Sequence, residues 1–549
     1  MRASAPLLPI GRPDDPRRLA GAAPVVRPDR LLATLAIVIV GSTAAILRLA
    51  QLTQFGFNTD EAVYSGQAAA LAGNQQYAAM FGVFRAHPLL VHFLVSLIYR
   101  ITGINDVAPR VLSAIFGIGL VLVAGAVAAV AYGRLAGLLA MAFTAVSPYA
   151  VTVSRQMLLD GPMAFFAGLT ILFLALYVRR PRRVLLYSAG AAAGLAFLAK
   201  ESAVLLIPAV LVFMLLARDV PFRLRDIAIT AAVYLLTVLP FPLSLLLGGG
   251  SGSAQQFFVW QILRRANHDP AFYWDKVVPS VGLPIIALAG LGLAVALWRR
   301  RGIDVLIVAL CLVTVGFFEL WPVKGFQYLI PVITPTVILA ALGVIWLGTA
   351  VGTVYARIFQ RPPRLGSWMA RTAVAAASVA VLGIGSTTVV AAPAPTLLAT
   401  DSSDDLTHPA YGFVAGTGGL KASRPVGAWL KAHTLPNSRF MTIGPSFANI
   451  IQFYGERRAV ALAVSPNPLH RNPTYTPIEN PDKAIQTDAI QYLVYDSYTA
   501  SRTPFFTSKL LAYVAKYHGV LVYADYQAIH RSDGTTGEAP VVLVYEVHP

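Results

Sequence analysis

Apolar runs long enough to cross a bilayer recur along most of the chain, separated by short polar turns. The first occupies 31–50, and others fall at roughly 109–131, 135–153, 161–178, 184–200, 202–217, 226–247, 280–298, 303–320, 327–349 and 372–393. Several lie near the minimum crossing length of about 17 residues. The pattern predicts about eleven transmembrane helices. A shorter stretch, 89–101, follows Pro88, carries His92 and ends near Arg100, which predicts a helix lying in the interface. After about residue 394 the pattern changes. Strand-like runs at 439–443, 491–496, 520–524 and 541–547 alternate with helical segments near 424–433, 446–454 and 504–516, which predicts a small α/β domain with a parallel or mixed sheet. The expected fold class is a polytopic α-helical membrane protein with a C-terminal extracytoplasmic α/β domain. Its divisions are a disordered tail at 1–30, a membrane domain at 31–393 with outer loops 51–108 and 248–279, and the α/β domain at 394–549, entered through the linker 391–408.

Composition excludes a water-soluble globule: of 549 residues, 56% are hydrophobic and only 13% charged. The formal charge of +17 would suggest nucleic acid in a soluble chain. Here the arginines punctuate apolar spans, where they set topology beside anionic lipid, so membrane lipid and no nucleic acid is the expected partner. Cys311 is the single cysteine, which excludes an intrachain disulfide and a cysteine-based metal or redox motif. The first run is longer than a signal peptide's apolar region and predicts an uncleaved span, with the arginine-rich tail cytoplasmic. If 89–101 does not cross, alternation puts Arg134, Arg179 to Arg183, Arg218 to Arg225, Arg299 to Arg301 and Arg357 to Arg371 all on the cytoplasmic side. The opposite side then receives 51–108, 154–160, the Lys200 turn, 248–279, 321–326 and everything after about 394. The expected location is the plasma (inner) membrane, multi-pass.

The ionisable residues left over by that topology gather on this outer side. Asp60 and Glu61, with Tyr64 one turn later, sit just outside the first span; a partly buried carboxylate there suits a general base for an alcohol, while the plainer reading is a favourable pair at a helix N-terminus. Arg155 and Asp160 occupy an outer turn between two spans, where the plainer reading is a local ion pair capping the next helix. Lys200-Glu201 lies between two apolar segments, where charge is costly and often functional, or else snorkels at a hairpin tip. The loop 248–279 holds Arg264, Arg265, His268, Tyr273 and Trp274, a mixture suited to a phosphate or sugar site and equally to interface anchoring. Lys324, Gln327 and Tyr328 stand at the outer end of a later span. His87 and His92 form only a weak metal motif. Tyr, Pro and Asn within 465–482 suit carbohydrate binding and equally an ordinary loop, and Gly416-Thr417-Gly418-Gly419 is too short for a dinucleotide fingerprint.

Six segments taken in order carry a resemblance. They are Asp60-Glu61-x-x-Tyr64, Phe84-Arg85-Ala86-His87-Pro88-Leu89, Ala108-Pro109-Arg110 through Gly117, Ser154-Arg155 followed by Asp160-Gly161-Pro162, Gly194 through Lys200, and Lys324-Gly325-Phe326-Gln327-Tyr328 through Pro331. In these the chain resembles the GT-C superfamily of membrane glycosyltransferases, in the protein O-mannosyltransferase and aminoarabinose-transferase-like group (glycosyltransferase family 39-like), over about 31–350. The resemblance implies transfer of a sugar, with inversion, from a polyprenyl-phosphate donor to an extracytoplasmic acceptor hydroxyl on a protein, glycolipid or glycan. It implies Asp60 as catalytic base, with Glu61 and Asp160 shaping the pocket. Arg155, Lys200, Lys324 and Arg265 would lie near the donor phosphate, and Tyr64, His87, His268, Tyr273, Gln327 and Tyr328 would line the substrate pocket. The aminoarabinose branch has a Glu-Lys pair before two prolines where this chain has Arg85-Ala86-His87-Pro88. That departure leaves the aminoarabinose substrate, and a divalent cation of that branch's kind, open; no cofactor is assigned.

The chemistry fits the residue types independently. Breaking the anomeric bond turns a phosphodiester into a monoester with up to about two negative charges, so fixed cations attract the leaving group more than the bound donor. The rival expectation is a polytopic transporter of an anionic or lipid-linked solute, which would place charges near the midplane in broken helices and often show repeats. A scaffold displaying the C-terminal domain is the third reading.

Overall fold

The computed structural model describes residues 30–50, 52–53, 56–82, 87–248, 251–358, 422–530 and 535–549. The basic tail before residue 30, the span expected at 372–393, the linker, the Gly416 to Gly419 run and Phe84 to Ala86 all lie outside them. Among the described residues, five helices are long and apolar enough to cross a membrane: Ala108–Tyr132, Asp160–Arg179, Leu224–Leu247, Gly302–Leu320 and Phe326–Ile358. Two bent pairs bring the number to seven. Arg134–Val146 turns by 63° into Pro148–Ser154, where Ser147 is extended and Pro148 cannot continue the preceding hydrogen-bond ladder. Tyr273–Val281 turns by 95° into Leu283–Arg299 at Gly282, whose φ of 109° favours glycine. Ala33–Leu49, Arg183–Ala199 and Glu201–Leu216 are shorter apolar helices. The expected count of eleven is thus not reached among the described residues.

Small residues let these helices touch through their backbones. A side chain on Gly292 would collide with the Leu339 carbonyl, and one on Gly343 with that of Leu288, so helices Leu283–Arg299 and Ile333–Ile358 pack at close range. Helix Leu90–Thr102 packs on helix Thr59–Leu71 through Val91, Val95 and Tyr99, while Phe93, Leu97 and Ile101 stay exposed on its other side. Apolar on both faces and only 13 residues long, it suits a helix at the membrane surface.

The arginine-bearing helix ends converge on one face. Tyr132 donates to Asp304 at 2.8 Å, Arg299 lies 3.6 Å from the same carboxylate and over the Tyr132 ring, and Arg179 donates to the Ala131 carbonyl. Asp219 accepts from the Gly302 amide and Asp226 lies 3.4 Å from Arg183. Asp226 and Asp304 are buried acids that balance this basic face. Helix Asp160–Arg179 then fixes the distance to the other side: 20 residues at about 1.5 Å each separate Asp160 from the arginine end by roughly 30 Å, the thickness of a bilayer core.

At the C-terminal end, β1 (Arg439–Thr442), β2 (Arg458–Ala461), β3 (Tyr492–Asp496), β4 (Val520–His530) and β5 (Thr536–Glu546) form one mixed sheet in the order β2-β1-β3-β5-β4. The pairs β1–β2 and β1–β3 are parallel, and β5 runs antiparallel to both β3 and β4. Helices Ser423–His433 and Pro445–Ile450 cover one face, Phe447 of the second packing with Phe440, Val494 and Val542 of the sheet; Pro504–Lys516 covers the other, its Leu510 packing with Leu493. The sheet unit is fastened to the loop segment 52–107. Tyr454 donates to Asp106 and accepts from the Phe57 amide, Arg424 pairs with Asp106 at 2.5 Å, and Tyr77 donates to the Phe453 carbonyl at 2.8 Å.

Candidate active site

The loop around helix Thr59–Leu71 owes its shape to one carboxylate. Asn58 caps helix Thr59–Leu71 by accepting from the Glu61 amide at 2.9 Å, and Glu61 accepts in return from the Asn58 amide. Glu61 also receives two bonds from Arg110, each 2.7 Å, and one from the Met157 amide at 2.9 Å. Arg110 spends its remaining donors on the carbonyls of Leu52 and Gly56. With Glu61 fully buried and saturated in this way, the adjacent Asp60 is left to face a cavity.

That cavity, about 520 Å3, is lined by Asp60, Tyr64, His87, Lys200, Glu201, Arg264, Gln327 and Tyr328, with an apolar side of Phe257, Phe258, Trp260, Phe317, Phe318 and Trp321. Asp60 forms no ion pair among the described residues. Burial raises its carboxyl above the ordinary carboxylate range, and the positive charges of Lys200, His87 and Arg264 pull it back in part. Lys200 spans the floor: its Nζ lies 2.7 and 2.8 Å from the two oxygens of Asp160 and 4.8 Å over the Tyr328 ring. His87 Nδ1 lies 2.8 Å from Glu201 Oε2, and both imidazoles, His87 and His92, meet the Tyr64 ring edge-on. Arg264 stacks over Trp260 at 4.5 Å and donates to Gln261.

Helix starts explain these placements. Asp60 and Asp160 both occupy first turns, where carboxylates are favoured, and Lys200 is extended between two helices so its side chain turns inward. Asp160 sits behind Lys200, close enough to feel the charge of Asp60.

Several residues expected at the site lie elsewhere. Glu61 is consumed by the capping box and Arg110. Arg155 reaches back to the Leu47 carbonyl at 2.8 Å and does not line the cavity. Lys324 is buried against Glu319 at 3.1 Å and two carbonyls, 4.8 Å over the Tyr273 ring, which keeps both Lys324 and Tyr273 off the cavity wall. His268 stacks on Phe272 at 4.2 Å. Arg265 is exposed, and its neighbour Arg264 reaches the cavity instead. The loop 248–279 is itself partly helical, at Ser251–Leu263, so the choice between neighbouring arginines depends on a helix end that its sequence does not mark. Asn472, from the sheet unit, also lines the cavity. Among the described residues no three His, Cys, Asp or Glu side chains gather as metal ligands.

Residues 86–243 match the family described as dolichyl-phosphate-mannose-protein mannosyltransferase. Among curated proteins nothing matches the chain. In fold it is similar to ArnT from Cupriavidus metallidurans bound to undecaprenyl phosphate, with TM-score 0.64 and 16% identity over 93% of this chain and 98% of that one. It is also similar to the Archaeoglobus fulgidus oligosaccharyltransferase tethered to an acceptor peptide, with TM-score 0.58 and 12% identity over 93% and 74% of the two chains. The same archaeal enzyme in complex with an inhibitory peptide and a dolichol-phosphate gives 0.53 and 12% over 92% and 74%. In fold the chain is thus similar to the ArnT and archaeal oligosaccharyltransferase membrane proteins, and its residues 86–243 are similar to the mannosyltransferase family.

Proposed function

We propose that the chain is an inverting glycosyltransferase that takes a sugar from a polyprenyl-phosphate donor at the outer face of the membrane, with Asp60 as general base. The observation that carries this reading is an Asp60 that forms no ion pair among the described residues, in a cavity that joins Lys200 and Arg264 to an aromatic wall. The acceptor hydroxyl gives its proton to Asp60 as its oxygen attacks the anomeric carbon. The carbon–oxygen bond to the donor phosphate breaks from the opposite face through an oxocarbenium-like transition state. Its electron pair stays on the departing monoester, whose growing charge Arg264 and Lys200 attract more strongly than they attract the donor. The apolar wall, which includes the largely exposed Ile262, suits a prenyl tail. Bound undecaprenyl phosphate and dolichol-phosphate in the two fold relatives support the donor class. The arginine face described above, which the positive-inside bias puts in the cytoplasm, supports an extracytoplasmic sheet unit.

The test is Asp60→Asn in purified protein given a polyprenyl-phosphate sugar. Loss of transfer by a factor of about 10² or more, with donor binding retained, is expected of a general base; substantial remaining activity removes Asp60 from that role. A transporter is disfavoured because the site's charges sit at helix ends on one side of the membrane domain, not at broken helices near its middle.

A further inference from the structure

A second cavity, of about 430 Å3, adjoins the first along helix Thr59–Leu71. Asp60 and Tyr64 present one strip of this helix to the first cavity, and Val63 and Gln67 present the neighbouring strip to the second. The loop after β2 divides the two spaces: Asn472 lines the first, while Thr474, Tyr475 and Thr476 line the second. Tyr475 also lies within the electrostatic reach of Asp60. The sheet unit closes the far side with Asn449 and Gln452.

The two linings differ in charge. The first holds two acids, a lysine, an arginine and a histidine; the second, among the described residues, has no charged side chain. Its polar groups are amides and hydroxyls with capacity to spare. Asn449, only 4% exposed, donates to the Tyr475 hydroxyl at 3.1 Å, and the bonds from Gln452 to Asn449 and from Gln67 to the Gly82 carbonyl are long, at 3.5 and 3.4 Å. An amide has two donors and an acceptor with two lone pairs, so these side chains have bonds left to offer. A phosphate or carboxylate here would be desolvated without a counterion. An uncharged polyol would exchange water for amides and hydroxyls and lay its C–H face on Phe81 or Tyr475.

We propose that this second cavity is the acceptor subsite and that its occupant is a neutral saccharide, one hydroxyl of which reaches Asp60 past the Asn472 to Tyr475 loop. The proposal rests on the donor reading above and adds the acceptor class. The acceptor oxygen bonds to the anomeric carbon, the donor phosphate leaves with the electron pair, and the acceptor proton passes to Asp60.

Binding without donor separates the two readings. Neutral manno-, galacto- and arabino-trisaccharides, trigalacturonate and a Ser/Thr-containing hexapeptide are titrated by saturation-transfer NMR against the full-length protein in lipid nanodiscs. Variants are Asn449→Ala, Gln452→Ala and Asp60→Asn, with retained undecaprenyl phosphate binding as the check on folding. At least one neutral trisaccharide should bind saturably, about tenfold more weakly in Gln452→Ala or Asn449→Ala and within twofold of wild type in Asp60→Asn. Trigalacturonate should not compete. No binding by any of the three neutral sugars, binding indifferent to both amide variants, or hexapeptide binding that those variants abolish would each overturn the acceptor assignment. Saccharide binding intact but no transfer from any polyprenyl-phosphate sugar would instead overturn the donor reading.

Discussion

Lys200 holds both carboxylate oxygens of Asp160, at 2.7 and 2.8 Å, across forty residues of chain and at the edge of the membrane domain. Both groups are buried, so neither tolerates losing the other. Lys200→Met and Asp160→Asn should each lower the unfolding temperature, at a cost on the order of 3–5 kcal/mol for a broken buried pair. The double variant should recover much of that stability. It should not recover transfer if Lys200 also meets the donor phosphate. Thermal unfolding and turnover, measured on the same four proteins, separate the two roles.

Asp60 makes a pH prediction. Its carboxyl is raised by burial and must be ionised to act, so transfer should rise with pH through a value above the ordinary carboxylate range. Arg264 lowers that value. In Arg264→Gln the acid limb of the kcat/KM profile should therefore move to higher pH, and an unmoved limb would dissociate the two residues.

Arg110 acts on chemistry through position alone. It holds Glu61 with two bonds and the loop carbonyls of Leu52 and Gly56 with two more. Arg110→Met strands a buried carboxylate at a cost of about 3–5 kcal/mol, and should loosen the Thr59–Leu71 helix start. Turnover should fall while the acid limb of the pH profile persists, since Asp60 itself is unchanged.

The sheet unit carries its own pH response. Asp496 is fully buried; one oxygen caps the next helix by accepting from the Thr499 amide at 2.7 Å, and the other has no partner among the described residues. Burial lifts this carboxyl to about 6. The folded state thus favours the protonated form. That contribution is fully present below the unfolded value near about 3.9 and is lost as pH rises through about 6. Asp496→Asn keeps the cap without the charge and should be more stable than wild type at pH 8, by on the order of 2–3 kcal/mol, with the gap closing toward pH 4. Unfolding temperatures at the two pH values check it.

Orientation can be read by thiol labelling in a Cys311→Ser background. Asp269 and Arg180 are both exposed, on the site side and the arginine side respectively. Asp269→Cys should label from outside intact cells and Arg180→Cys only after permeabilisation. The reverse would invert the topology.

The sequence made the apolar spans legible because each carries its signal locally, in a run of residues that needs no partner. The short helix at Leu90–Thr102 was legible for the same reason, as a local apolar run. Asp60 and Lys200 stood out because charge beside apolar segments is rare. What a linear reading could not resolve is which ionisable neighbour is spent on structure. Glu61 adjoins Asp60, yet only the arrival of Arg110, 49 residues later, consumes one and leaves the other facing the cavity. Lys324 is occupied by Glu319, and Arg265 loses to Arg264 through the end of a helix. The strand β2, Arg458–Ala461, escaped notice because it is short, at the sheet edge and half exposed.

Asp106 receives both Tyr454 and Arg424, over three hundred residues downstream, and so ties the last part of the polypeptide to the first outer loop. Ribosomes deliver the membrane helices long before they deliver those anchors. Until Tyr454 docks, Asn472 cannot take its place beside Asp60, and the wall between the two cavities does not exist. A chain ending at residue 421 would lack both anchors and the Asn472 side of the cavity.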